Sequence, residues 1–221
     1  MLQLPAPIDH VTCSRGHSAA LDSEHHVWVF TSWGRPCRLT SPAINSQAKE
    51  HHAVQVEAGW TFVSILTEAG SVYVIWPFSH EFDVQNREEN RKLDQKYAKV
   101  KAKNGIIPCV PIDIDAEPLA LPDIPCDLPD LVARCDEDQE RSKPRLVRIA
   151  AGDHFVIGLT DQGHVLSIDL SGEGTFSVAY PWLRDAFVRG QRAWQYVRAL
   201  DGDIHTLIKL FEQCSFQNSA I

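Results

Sequence analysis

Short apolar runs that alternate with polar residues, each broken by a polar turn, recur along this chain. Leu21 is followed six residues later by Val27, Leu66 by Val72 and Leu159 by Val165. Between them lie Asp22-Ser23-Glu24-His25-His26, Thr67-Glu68-Ala69-Gly70-Ser71 and Thr160-Asp161-Gln162-Gly163-His164. Flanking runs such as Phe62-Val63-Ser64-Ile65-Leu66 and Val72-Tyr73-Val74 have a period of two, which places alternate side chains on opposite faces of a strand. A turn between two such runs predicts a β-hairpin, and Gly70 and Gly163 supply the turn glycine in two copies; the first copy has none. Gly59 and Gly152 each stand seven residues before the hairpin leucine. A fourth stretch, 197–207, supplies Gly202 and His205. His17, Phe62, Phe155 and His205 align with separations of 45, 93 and 50, the middle value close to two periods. Recurrence at such a period predicts a repeat architecture.

The space between the second and third copies reads differently. Asn86 with Glu89 three residues on forms a capping-box pattern. Leu93, Tyr97 and Val100 follow at helical spacing, and Asn104-Gly105 is a suitable stop, so the pattern predicts a helix over about 86–103. Six of the chain's thirteen prolines then fall between 108 and 129. Proline removes a ladder donor, so 105–131 is expected to be extended with short strands at most. A charged loop follows over 134–144. The expected organisation is two repeats over 1–76, an insertion over 77–145, and later repeats over 146–221, the last truncated.

Composition narrows the class. Apolar residues make up 44% of the chain and charged ones 23%, the balance of a globular protein with a core. No run approaches the roughly 18 apolar residues of a membrane span, and Met1-Leu2-Gln3-Leu4-Pro5 lacks a basic start and an apolar core. Six scattered cysteines without a Cys-x-x-Cys pair favour reduced thiols inside a cell over disulfides or a zinc site. An intracellular protein, cytoplasmic or nuclear, is expected, with no membrane partner. The net charge of −8 argues against a nucleic-acid partner, which requires a basic face. The lysines at 92, 96, 99, 101 and 103 are interleaved with Glu88, Glu89 and Asp94.

The unit resembles the regulator of chromosome condensation (RCC-type) repeat. Ala58-Gly59-Trp60-Thr61-Phe62 running on to Gly70-Ser71-Val72-Tyr73, and Ala151-Gly152 running on to Gly163-His164-Val165, carry the resemblance, with Trp33-Gly34 after the first hairpin. It covers about 11–76 and 146–210. The resemblance implies an all-β fold: a partial or degenerate β-propeller of about four repeats, with one inserted helix and a proline-rich loop. Its repeat positions are His17, Leu21, Gly59, Phe62, Leu66, Gly70, Gly152, Phe155, Leu159, Gly163, Gly202 and His205. His17 and His205 correspond to the family's internal polar anchor, a structural role.

The helix, Gly105-Ile106-Ile107-Pro108-Cys109 and the proline loop are similar to fungal F-box proteins that carry such repeats, the SCF-associated-factor type of ubiquitin-ligase substrate receptor. That resemblance implies protein targets, with ligase subunits as partners only where an F-box is supplied, since Leu4-Pro5-Ala6-Pro7 does not open one. A guanine-nucleotide exchange factor acting on a small GTPase is the alternative, with 77–145 the only candidate wedge. The residues recommend no catalytic centre, metal or cofactor. Gly-x-Ser-x-Gly and Gly-x4-Gly-Lys do not occur, and the pairs His25-His26 and His51-His52 read as turn or loop residues. The expectation is a non-catalytic recognition module. Trp60, after a repeat glycine, and Trp182, Arg184 and Trp194 are the candidate contact residues, because Trp and Arg dominate interface energetics.

Overall fold

A computed structural model describes residues 2–32, 35–46, 48–97, 107–108, 111–129, 143–172 and 176–200. The hairpins assemble into three sheets standing side by side, with the consecutive strands of each antiparallel. In the first, β2 (Ile8–Cys13), β3 (Ser18–Asp22), β4 (Val27–Phe30) and β5 (Cys37–Leu39) pair in sequence order, preceded by β1 (Leu2–Gln3). A short helix, α1 (Pro42–Asn45), leads on, its first turn capped by the Ser41 hydroxyl. The second sheet holds β6 (Ala53–Ala58), β7 (Val63–Thr67) and β8 (Val72–Ile75). Next come α2 (His80–Tyr97), β9 (Ile107–Pro108), β10 (Ile112–Ile114) and β11 (Leu119–Ala120). The third sheet is β12 (Leu146–Ala151), β13 (Phe155–Thr160), β14 (Val165–Asp169) and β15 (Gln195–Tyr196), with α3 (Phe176–Val188) between its last two strands. Each sheet is a propeller blade, and together they form an arc of a β-propeller.

The insertion is built into the blades. Strand β10 adds to the first blade, parallel to β5, while β11 is the fourth strand of the second blade, antiparallel to β8. β9 pairs with β1. A single excursion thus closes the outer edges of two adjacent blades, covering ladder groups that would otherwise be open.

Period-two patterning puts both faces of the second blade to use. Val63, Ile65 and Ile75 turn toward Leu21, Val29 and Leu39 of the first blade. Phe62, Leu66, Val74 and Trp76 turn toward Ile149, Val156 and Leu166 of the third. All of β7 is therefore buried, including Ser64, whose hydroxyl donates to Glu57 O at 3.3 Å. Each fully buried aliphatic side chain contributes about 1.5–3 kcal/mol, and the gain depends on a neighbouring blade being present.

The repeat is also legible in backbone irregularity. The register slips between Ile8 and His10, between Ala53 and Gln55, and between Leu146 and Arg148. These bulges are spaced like the hairpin leucines. The turns match too: the amides of Asp22, Thr67 and Thr160 donate to the carbonyls of His26, Ser71 and His164 at 3.1, 2.9 and 2.9 Å. Gly70 and Gly163 take positive φ, and in the first copy His25 does so instead, at φ 66°. Two contacts hold it there. The Asp22 carboxylate accepts from the amides of Glu24 and His26 at 3.0 and 2.8 Å, and His25 Nδ1 donates to Ala53 O of the next blade at 3.0 Å.

Two expectations are corrected. Helix α2 begins at His80 rather than Asn86, because Ser79 Oγ accepts from the Phe82 amide at 3.4 Å and Phe82 plugs the core. Asn86 is an interior contact whose Oδ1 accepts from Cys37 Sγ at 3.4 Å, and Arg35 fastens the same face through Asn90 at 2.9 Å and through Asp94. Beside the one inserted helix that was expected, a second long helix, α3, occupies in its blade the same connection that α2 occupies in the second. Outside the described residues lie Trp33-Gly34, the 98–103 end of the expected helix, Asn104-Gly105, the charged loop over 134–142, and the fourth repeat with Gly202 and His205.

Candidate functional loop face

In an antiparallel blade the first connection and the end of the third strand lie at the same edge. The loops Ser14–His17, Gly59–Phe62 and Gly152–Phe155 therefore share one face with the starts of the excursions through α2 and α3. The three loops have one conformation: the amides of Ser14, Gly59 and Gly152 donate to the carbonyls of His17, Phe62 and Phe155 at 2.8, 2.9 and 2.9 Å. Neither Gly59 nor Gly152 has positive φ. Glycine is needed for a different reason, since a Cβ would stand 2.3 Å from the Phe62 or Phe155 ring.

The loops are tied across blades. Ser14 Oγ donates to Trp60 O at 3.2 Å, and the Trp60 amide donates to Gly152 O at 3.3 Å. His17 fills the place held by Phe62 and Phe155 in the other copies, and its Nε2 meets Phe62 O at 3.1 Å. A carbonyl only accepts, so Nε2 carries the proton and buried Nδ1 is left as an acceptor without a partner. Burial pushes the His17 pKa below its ordinary value, partly offset by that carbonyl contact. A pKa lowered in this way keeps His17 neutral at pH 7.

Upon this frame stand exposed aromatics. Trp60, Phe78 and Phe155 are each a little over two-fifths exposed. Arg15 lies over the Trp60 ring, 5.3 Å from its centroid, and the Phe78 and His17 rings meet edge-on at 5.8 Å. Trp182 on α3 is equally exposed and carries the Arg192 guanidinium at 4.9 Å. Arg192 is itself held by Asp169. Burial would raise the Asp169 pKa, but the Ser171 amide and hydroxyl, followed by Arg192, bring it below the carboxylate norm. Arg184 is 3.2 Å from Glu117.

The sequence-selected contact residues thus divide. Trp60, Trp182 and Arg184 lie at the surface. Trp194 does not: it is 4% exposed in the core between the second and third blades, with Nε1 donating to Pro122 O at 2.8 Å. Two surface aromatics were not singled out from sequence, Phe78 and Phe155; the second was assigned only to the repeat, though its position beside a loop glycine matches that of buried Phe62. Among the described residues no group of three or more His, Cys, Asp or Glu side chains is placed to hold a metal ion. Burial raises the Cys37 thiol to about 12, which keeps it protonated and unreactive.

No protein-family model and no curated protein matches this chain. Solved structures do. Yeast RCC1 (Prp20) in complex with Kap60 is 19% identical with a TM-score of 0.42, over 75% of this chain and 32% of that one. Prp20p from Saccharomyces cerevisiae, described with its binding to Gsp1p and histones, is 15% identical with a TM-score of 0.37, over 76% and 32%. Human WBSCR16 is 12% identical with a TM-score of 0.31, over 81% and 52%. The chain spans about a third of the length of the yeast RCC1 chains it matches.

Proposed function

We propose that this chain is a non-catalytic protein-recognition arc that grips its target through the loop face. The observation that carries this reading is the row of exposed aromatics on loops cross-tied between blades. Trp60 is presented by a loop held from both sides, by Ser14 and by Gly152. A rigid aromatic anchor loses little conformational freedom on binding and supplies a large contact area. Positioning loops on a stiff scaffold is the usual way recognition surfaces are built. In the finer version of this reading, suggested by the F-box resemblance, the arc is the substrate-recruiting part of an SCF-type receptor.

A native pulldown with mass spectrometry tests it. A protein retained by the wild-type chain and lost with Trp60→Ala, at unchanged thermal stability, supports recognition through this face. Co-recovery of ligase-core subunits extends the reading to a ligase. Recovery of a nucleotide-free small GTPase replaces it with nucleotide exchange, and the absence of any Trp60-dependent protein overturns it.

A further inference from the structure

Between α2 and α3 lies a cavity of about 460 Å³. Its floor is apolar: Ile75, Trp76 and Phe82 line it, each at most 5% exposed. Its rim is acidic. Glu81 comes from α2, Asp115 and Glu117 from the strand-forming segment, and Asp185 from α3; among the described residues Arg184 pairs with Glu117, and Arg189 lies 3.9 Å from Asp185. Three separate stretches of chain thus bring four carboxylates to one apolar cleft.

The walls are fixed in advance. Gln85 of α2 clasps the backbone of Asp115 in both directions, its Nε2 donating to Asp115 O at 3.0 Å and its Oε1 accepting from Asp115 N at 3.1 Å. Arg184 joins α3 to Glu117, but that pair is exposed on both sides, with Glu117 81% accessible. Exposed pairs of this kind contribute little, so the Glu117 contact is one that a competing cation can share.

We infer that this cleft receives an arginine side chain from the partner protein. The inference rests on the recognition reading above and specifies the chemistry of one of its contacts. An arginine combines the two properties the cleft asks for: an aliphatic stem that lies against apolar surface, and a planar head that pairs with carboxylates in two-pronged fashion. Trp76 at the floor adds an aromatic partner for the cation. An acidic segment or an anionic lipid surface meets repulsion at the same rim. The excess of negative charge over the whole chain steers a basic segment toward it as well.

A labelled acetyl-Gly-Arg-Gly-Arg-Gly amide, titrated by fluorescence anisotropy against the full chain at low ionic strength, provides the test. The expected result is affinity at least about tenfold above that of the same peptide with citrulline for arginine. Neutralising the rim with Glu81→Gln and Glu117→Gln together should lower it about tenfold, while Glu50→Gln with Glu68→Gln, an equal change of charge on the far side of the blades, changes it less than about twofold. The Trp76 indole resonance, assigned through Trp76→Phe, should shift during the titration. Equal binding of the arginine and citrulline peptides overturns the inference, and so does equal loss in the rim and control variants, which marks diffuse attraction. Failure here leaves target capture through Trp60 standing, because the pulldown is decided by the Trp60 side chain and not by the rim carboxylates.

Discussion

At Gly59 and Gly152 the same substitution meets different surroundings. An added Cβ strikes a phenyl ring in both, but Phe62 is 1% exposed and packed on Trp76, while Phe155 is 43% exposed and able to swing outward. Gly59→Val is expected to lose about 3 kcal/mol and Gly152→Val about 1, measured by denaturant unfolding. Equal losses would show that the backbone, rather than the ring, sets the requirement. His25 offers a second residue-scale case. Its left-handed backbone costs about 1–2 kcal/mol, and its bond to Ala53 O returns about 1. His25→Gly should be near neutral in thermal unfolding, whereas His25→Ala keeps the strain, loses the bond and should cost about 1 kcal/mol. His17 supplies a pH dependence. Its folded pKa lies below the ordinary 6.5, so its contribution is fully present above that value and is lost as pH falls from there towards the folded pKa. Replacing it with Phe, as in the other two copies, should flatten the decline of stability below about pH 6.5 in urea titrations at successive pH values.

Among the elements, α2 shows where sequence pattern misleads. Leu93 does pack against the core, yet the residue that seats the helix is Phe82, ahead of the predicted start. The capping pattern at Asn86 and Glu89 was locally valid, but Ser79 reached the first turn earlier because Phe82 had a cavity to fill. Phe82→Ala should therefore lower stability by about 3–5 kcal/mol and speed amide exchange throughout α2. Val84→Ala, on the exposed side of the same helix, should change stability by no more than about 0.5 kcal/mol. The hairpins were more legible, because a period of two with a polar turn leaves few alternatives. Even the glycine missing from the first copy left a trace in Asp22, whose short carboxylate organises the turn amides. The same logic failed for Trp194. The weight that Trp carries at interfaces made it look like a contact residue, and only the fold showed that Pro122 O awaits its indole.

Over the whole molecule, the blades act as neighbours that stabilise one another in series. Gln55 reaches from the second blade to the third, its amide donating to Ile149 O at 2.8 Å and accepting from Ile149 N at 3.0 Å. Gln55→Ala removes both bonds and should cost about 1–3 kcal/mol, with amide exchange rising in β12 and β13 before it rises in β2 and β3. Glu57 is buried and lies 3.5 Å from His10, and its carboxylate raises the His10 pKa against the opposing effect of burial. The sequence by itself determined the strands, the turns and their spacing, because alternation and turn chemistry act over a few residues. Tertiary structure alone decided which aromatic is a surface anchor and which is core. It also brought α2, α3 and the proline-rich segment together around one acidic cleft. Those outcomes depend on contacts between residues 30 to 72 positions apart, and such contacts leave no periodic mark in the chain.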